Sequence, residues 1–261
     1  MTEDTKKTSE RIIPDNFKSK EEYLLYLRHL FAYEFASRAF PKDCCCLEVG
    51  CGEGYGTSLL SKYVKEIIGL DVDNEIIMHA QKKYRTANCY FILYDGEKIP
   101  FEDYKFDGVI SFQVIEHIED DKRFVSEIHR VLKENGIFIL TTPNRTYRLK
   151  PRQKPWNPFH VREYYPLELD NLLKSVFHEV KVLGIRGTEE VQKIEKNRVK
   201  LSSNFPNLKK FLPDSSKRKL VDIISKRKTT TQDFRAKYSI KDFDVTDDVT
   251  QSLDLLGVCK K

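Results

Sequence analysis

The chain is 261 residues long, enough for one good core with room for an appendage. Charged residues make up 33% and hydrophobic residues 40%, which fits a soluble protein, and no apolar run approaches the roughly 20 residues of a membrane span. A net charge of +5 is too small to single out nucleic acid or membrane as a partner, and the polar start Met1–Glu10 carries no apolar signal core, so a cytoplasmic location is expected.

Residues 1–18 read as a disordered lead-in. From Ser19 apolar residues recur at spacings of three and four (Tyr23, Leu24, Leu27, Leu30, Phe31, Phe35), which predicts a helix that Pro41 ends. Cys44–Val49 is a short apolar run with Glu48 near its end, and Gly50, Gly52, Gly54 and Gly56 alternate after it. A helical pattern then runs from Thr57 to about Tyr63. This is the strand, glycine turn and helix that open a doubly wound α/β sheet. The dinucleotide spacing G-x-G-x-x-G fails from either start, because Tyr55 or Thr57 falls where the third glycine should be. Glu48 also argues against a pyrophosphate at this turn and suits a ligand with an ammonium group and no phosphate, such as S-adenosylmethionine. A tight turn with no ligand would use the same glycines.

Glu66–Asp71 is a second strand ending in an acid, placed where a carboxylate accepts hydrogen bonds from ribose hydroxyls. Asp73 reads as the N-cap of a helix starting near Glu75. Cys89–Tyr94 is a third strand, closed by Asp95-Gly96. Phe106–Phe112 is a fourth, and Gln113-Val114-Ile115-Glu116-His117 follows at its mouth. An amphipathic helix is expected over Asp121–Lys133 and a fifth strand over Ile137–Thr142. Arg145, Arg148, Lys150, Arg152 and Lys154 then lie among Tyr147, Pro151, Pro155 and Trp156, before Asn157-Pro158-Phe159-His160-Val161-Arg162-Glu163-Tyr164. Leu167–Phe177 is helical, Glu179–Gly184 is a sixth strand and Ser252–Cys259 a seventh. The alternation predicts a parallel sheet covered by helices on both faces. The six cysteines include no C-x-x-C pair and read as small apolar packing in a reducing compartment.

Residues 188–245 carry basic clusters: Lys193, Lys196, Arg198 and Lys200; Lys209-Lys210; Lys217-Arg218-Lys219; and Lys226-Arg227-Lys228. Three readings stand: a solvated helical appendage, a basic amphipathic surface for anionic phospholipid or a lipid-linked substrate, and a nucleic-acid contact. Sparse aromatics weaken the third.

Glu48–Gly56, Asp71, Asp95-Gly96, Gln113–His117 and Thr142-Pro143-Asn144, in that order, resemble the class I S-adenosylmethionine-dependent methyltransferases, nearest the ubiquinone/menaquinone-biosynthesis type. The Gly-Glu-Gly-Tyr-Gly turn, the 157–164 segment and Leu253–Cys259 look like members associated with bacterial surface-glycan synthesis. The resemblance implies an α/β Rossmann-like seven-stranded sheet, mostly parallel with its last strand antiparallel. Residues 19–187 and 246–261 would form the methyltransferase domain and 188–245 a basic helical insertion. It implies S-adenosyl-L-methionine as cofactor, held by Tyr33, Glu48, Gly50, Gly52, Gly54, Asp71, Val72, Asp95, Gly96 and Phe112. Asp95 would receive the adenine amine. Tyr33 would keep half of an Arg-Tyr pair on the methionine carboxylate, with Ala32 in place of the arginine and Arg28 one turn earlier.

An activated methyl needs alignment and, for a hydroxyl acceptor, a base; His160, His117 and Glu116 are the candidates, each also able to brace its loop. Some relatives bind a divalent metal through E-x-x-E-H. Gln113 replaces the first carboxylate here, so no metal is expected. The expected acceptor is a hydroxyl or amine of a small molecule or a surface-glycan or lipid-linked precursor, with the insertion holding the chain at the inner membrane face. RNA 2′-O-methylation and a non-catalytic scaffold are the alternatives. The sequence gives no oligomeric state.

Overall fold

The computed structural model describes residues 12, 14, 17, 19–204 and 233–261. Five strands build the parallel part of one sheet: β1 (Cys45–Val49), β2 (Glu66–Asp71), β3 (Cys89–Leu93), β4 (Phe106–Phe112) and β5 (Leu132–Pro143). Three more complete it: β6 (Glu179–Gly187), β7 (Phe243–Thr246) and β8 (Asp254–Lys260). Their order across the sheet is β3-β2-β1-β4-β5-β8-β6-β7, with β8 antiparallel to both β5 and β6.

The period of two along each strand sends alternate side chains into two apolar layers. Cys46, Ile110 and Ile139 face one layer with Leu24 and Leu27 of α1 (Lys20–Ala39), Leu60 of α2 (Tyr55–Leu60) and Ala80 of α3 (Asn74–Tyr84). Leu47, Val109 and Phe138 face the other, with Val125 and Ile128 of α4 (Asp121–Val131). Leu169 and Leu173 of α6 (Pro166–Lys174) join that second layer; α5 (Arg145–Arg148) is a single turn after β5. The cysteines are unbridged, and all but Cys45 are buried.

Two features depart from the expected seven strands and helical insertion. The eighth strand, β7, straddles the end of the 188–245 span expected to be helical and pairs with Gly184–Gly187. Its alternation of Phe243 and Val245 with Asp244 and Thr246 is only four residues long, the shortest run that can signal a strand, and it is easily passed over at the end of a charged stretch. The start of the insertion is no solvated appendage either. Helix α7 (Glu189–Asn204) buries Val191 completely and sends Glu195 to Arg28 of α1. Helix α8 (Asp233–Lys237) precedes β7.

The basic clusters at 209–210, 217–219 and 226–228 lie outside the described residues, as does most of the lead-in. Of that lead-in, Phe17 is buried against Tyr23 and Tyr26. Among the described residues no helix is long and apolar enough to cross a membrane.

Candidate active site

The glycine turn is shaped by positive φ at Gly50, Gly52 and Gly54 (81°, 50° and 81°), which only glycine adopts without strain. The backbone N–H groups of Gly50 and Cys51 both donate to the Leu70 carbonyl at 2.8 Å, which ties the end of β1 to β2. Asp71 braces the same turn: its Oδ2 accepts from the Gly52 N–H at 2.9 Å and its Oδ1 from the Asp73 N–H at 3.1 Å.

Glu48 lies behind this turn. It is fully buried, and Tyr33 Oη and Thr57 Oγ1 each donate to it at 2.5 Å. Burial pushes its carboxyl up to about 7, against the pull of the two hydrogen bonds. Burial and the neighbouring Glu48 hold the Tyr33 phenol well above its usual value. Gly56 makes the contact possible, since a Cβ there would stand 1.8 Å from the Tyr33 ring. One turn before Tyr33, His29 joins it on the cavity wall. Arg28 turns away, to Asp254 at 2.7 Å and Glu195 at 3.6 Å, and so does not stand in for the arginine missing at Ala32.

A cavity of about 560 Å³ opens over the C-terminal ends of β1, β2 and β4, where a doubly wound sheet places its ligands. Of the residues read from the sequence, Tyr33, Gly50, Gly52, Asp71, Val72, Gly96, Phe112 and His117 line it. Glu48, Gly54, Asp95, Glu116 and His160 do not. Gly54 is a packing glycine, whose Cβ would meet Ala80 and Phe91 at 2.8 Å. Asp95 folds its own loop: Oδ1 accepts from the Glu97 and Lys98 N–H groups at 2.8 and 3.1 Å, which holds its carboxyl below the usual range.

The three proposed bases come together. Gln113 takes φ 57°, a strained value for a residue with a side chain, and starts the turn that carries Glu116 and His117. Its side-chain Nε2 donates to Thr141 Oγ1 at 3.2 Å. Glu116 Oε2 accepts from Thr142 Oγ1 at 2.9 Å. The His117 Nδ1–H donates to the Phe159 carbonyl at 2.9 Å, and His160 Nδ1 pairs with Glu163 Oε1 at 2.9 Å. The two imidazole rings meet edge to face at 4.8 Å. The Glu116 carbonyl fastens the covering segment by accepting from the Val161 and Arg162 N–H groups at 2.9 and 3.3 Å. One donor atom from each of Glu116, His117 and His160 lies within 4.8 Å of the others, a set whose types also suit a divalent cation.

The sequence reading missed Arg148 and Arg198 on the wall. Arg148 stood in the noted basic, aromatic segment and Arg198 in the first basic cluster of the insertion, but neither pattern pointed to the wall, which Arg198 reaches only through the tertiary packing of its helix.

A family model described as a methyltransferase domain matches residues 47–140. The "probable S-adenosylmethionine-dependent methyltransferase" of Mycolicibacterium smegmatis is 39% identical over 182 residues, covering 68% of this chain and 67% of that protein. The fatty-acid O-methyltransferase of the same organism is 31% identical over 103 residues, 39% of this chain and 38% of that one. Among solved structures, a SAM-dependent methyltransferase from Archaeoglobus fulgidus superposes with a TM-score of 0.55 at 19% identity, covering 93% of this chain and 95% of that one, a likeness of fold. The chain spans about two thirds of the length of the curated relatives it matches first. Similarity of that depth, running through the glycine turn and the cavity floor, places the chain in the family of S-adenosylmethionine-dependent methyltransferases.

Proposed function

We propose that the cavity aligns the methyl group of S-adenosyl-L-methionine with a hydroxyl of a small-molecule, glycan or lipid-linked acceptor, and that His117 takes the proton. The observation that carries this reading is one continuous cavity with the Gly50–Gly52 backbone and Asp71 on one wall and His117 on another. The residues fit the cofactor. Among the described residues, none other than its chain neighbours stands within 4 Å of a Cβ built on Gly52, so the turn offers open backbone to the cavity. Three carboxylates on the wall, Glu53, Asp71 and Asp73, suit a cation that also carries ribose hydroxyls. Asp71 would hold the ribose, Val72 and Gly96 would flank the adenine, and Tyr33 and Phe112 would close the methionine side. The bound cofactor supplies an activated sulfonium methyl.

The chain's own work is alignment and proton handling. A Nδ1–H given to the Phe159 carbonyl assigns the lone pair of neutral His117 to Nε2, the state a base needs. Glu116 and His160 position that ring and the loop above it. The fatty-acid O-methyltransferase among the relatives supports an oxygen acceptor.

Labelled-methyl transfer to envelope glycan, lipid, small-molecule and RNA fractions tests the proposal. Incorporation into glycan, lipid or small molecules that drops roughly 100-fold or more in His117→Ala supports it. Incorporation into RNA alone, or cofactor binding with no transfer to any fraction, rejects it. Turnover that survives a chelator leaves His117 as the base, whereas loss restored by a divalent cation gives the Glu116–His117–His160 set to a metal. The proposal also seats the chain at an anionic membrane face through its basic clusters. Vesicle binding at low salt that vanishes on neutralising 217–219 and 226–228 checks this.

A further inference from the structure

The cavity is electrically lopsided. Along the sheet order, the wall begins after β3 with Tyr94 and Gly96, passes Asp71 and Asp73 at β2, crosses the glycine turn of β1 and reaches β4. Beyond β5 the wall becomes cationic, with Arg148 from α5 and Arg198 from α7. Arg148 is 4% exposed, lies 3.5 Å from Glu163 and stacks 4.4 Å over the Trp156 ring. Arg198 stands 5.8 Å from the same ring, and its Nε and Nη2 donate to Glu195 Oε2 at 3.0 and 2.8 Å. Glu163 and Glu195 are both 2% exposed, and neither lines the cavity. The carboxylates therefore stand behind the guanidiniums, and the cationic groups form the wall. A guanidinium held from behind by a carboxylate and an aromatic face loses little freedom when an anion arrives, and its planar fork matches carboxylate and phosphate oxygens. Among the described residues no carboxylate lines the wall at this end, where the two guanidiniums would repel a cationic acceptor.

We infer that Arg148 and Arg198, set against Trp156, form an anion subsite at the acceptor end of the cavity, and that the acceptor carries a carboxylate or phosphate group there. This rests on the methyl-transfer reading of the same cavity. The cofactor's own methionine carboxylate offers the same chemistry, so the test separates the two sources.

Trp156 is the chain's only tryptophan, and its fluorescence reports this spot alone. Binding of S-adenosylhomocysteine is measured first, by calorimetry; no binding would remove the methyl-transfer reading, while the anion titration would still be readable on the protein alone. The protein saturated with S-adenosylhomocysteine is then titrated with sodium phosphate, against sodium chloride at matched ionic strength. The expected result is a saturable fluorescence change with phosphate only. Arg198→Gln should weaken it about tenfold or more, and Arg198→Lys less, with S-adenosylhomocysteine affinity kept within about twofold in both. That retained affinity also shows that the variants fold. Absence of a saturable response in the wild type overturns the inference, as does an equal response in Arg198→Gln. A response present without S-adenosylhomocysteine and lost at saturation assigns the two arginines to the cofactor's carboxylate and overturns it equally.

Discussion

Glu48 and Asp71 are both acids at strand ends, and their surroundings give them different work. Burial raises Glu48 from an ordinary value near 4.5 to about 7. A carboxyl whose folded pKa lies above its unfolded one contributes stability that is complete below about pH 4.5 and is lost as pH rises through 7. That loss amounts to ~3 kcal/mol by pH 8. Glu48→Gln removes the titration, so the stability of the variant relative to wild type should rise by up to ~3 kcal/mol between pH 5 and pH 8 in denaturant melts. A constant difference at the two pH values would show that Glu48 is not the group that titrates. Asp71 keeps one edge on the cavity while bracing the turn. Asp71→Ala should weaken S-adenosylhomocysteine by about ten- to a hundredfold in calorimetry, and unchanged affinity would remove the ribose assignment. Asp71 was legible in the sequence because an acid ending an apolar run marks a strand tip. The placement of Glu48 behind the turn was not, because it depends on Tyr33 crossing from another element.

Helix α1 shows the same limit one level up. Its spacing of Leu24, Leu27 and Phe31 announced a buried stripe, but Arg28 sits within that stripe and the pattern gives no reason for it. The reason is tertiary: Asp254 on β8 and Glu195 on α7, both buried, meet its guanidinium. Burial pushes the Asp254 carboxyl up while Arg28 pulls it back. Arg28→Met would leave the buried Asp254 short of the cation that touches it, while Glu195 keeps Arg198, and should destabilise the fold by about 3–5 kcal/mol. Asp254 then titrates at a still higher pH, so the penalty should grow from pH 5 to pH 8. Melts that lose less than 1 kcal/mol (roughly the worth of an exposed pair) would show that the cluster is not what fastens α1 and α7 to the sheet. The insertion's first helix was similarly illegible. Its basic residues dominate the sequence, whereas its structural role falls to Val191 and Glu195.

At the scale of the whole molecule, the parallel half of the sheet follows from alternating apolar strands and amphipathic helices, and the sequence carried it. The antiparallel half did not come from the residues alone. β8 was expected as antiparallel by resemblance, and β7 is short enough to be easily passed over. The order β5-β8-β6 has a consequence in time. During synthesis β6 leaves the ribosome long before β8, yet β6 reaches the rest of the sheet only through β8. The parallel half can assemble as it emerges, while β6, and β7 paired to it, must wait with a bare edge until residues 254–260 arrive to join the two halves. A nascent chain halted just short of residue 254 should therefore present an unsealed strand edge, the kind of surface that chaperones cover and that adds strands from other chains.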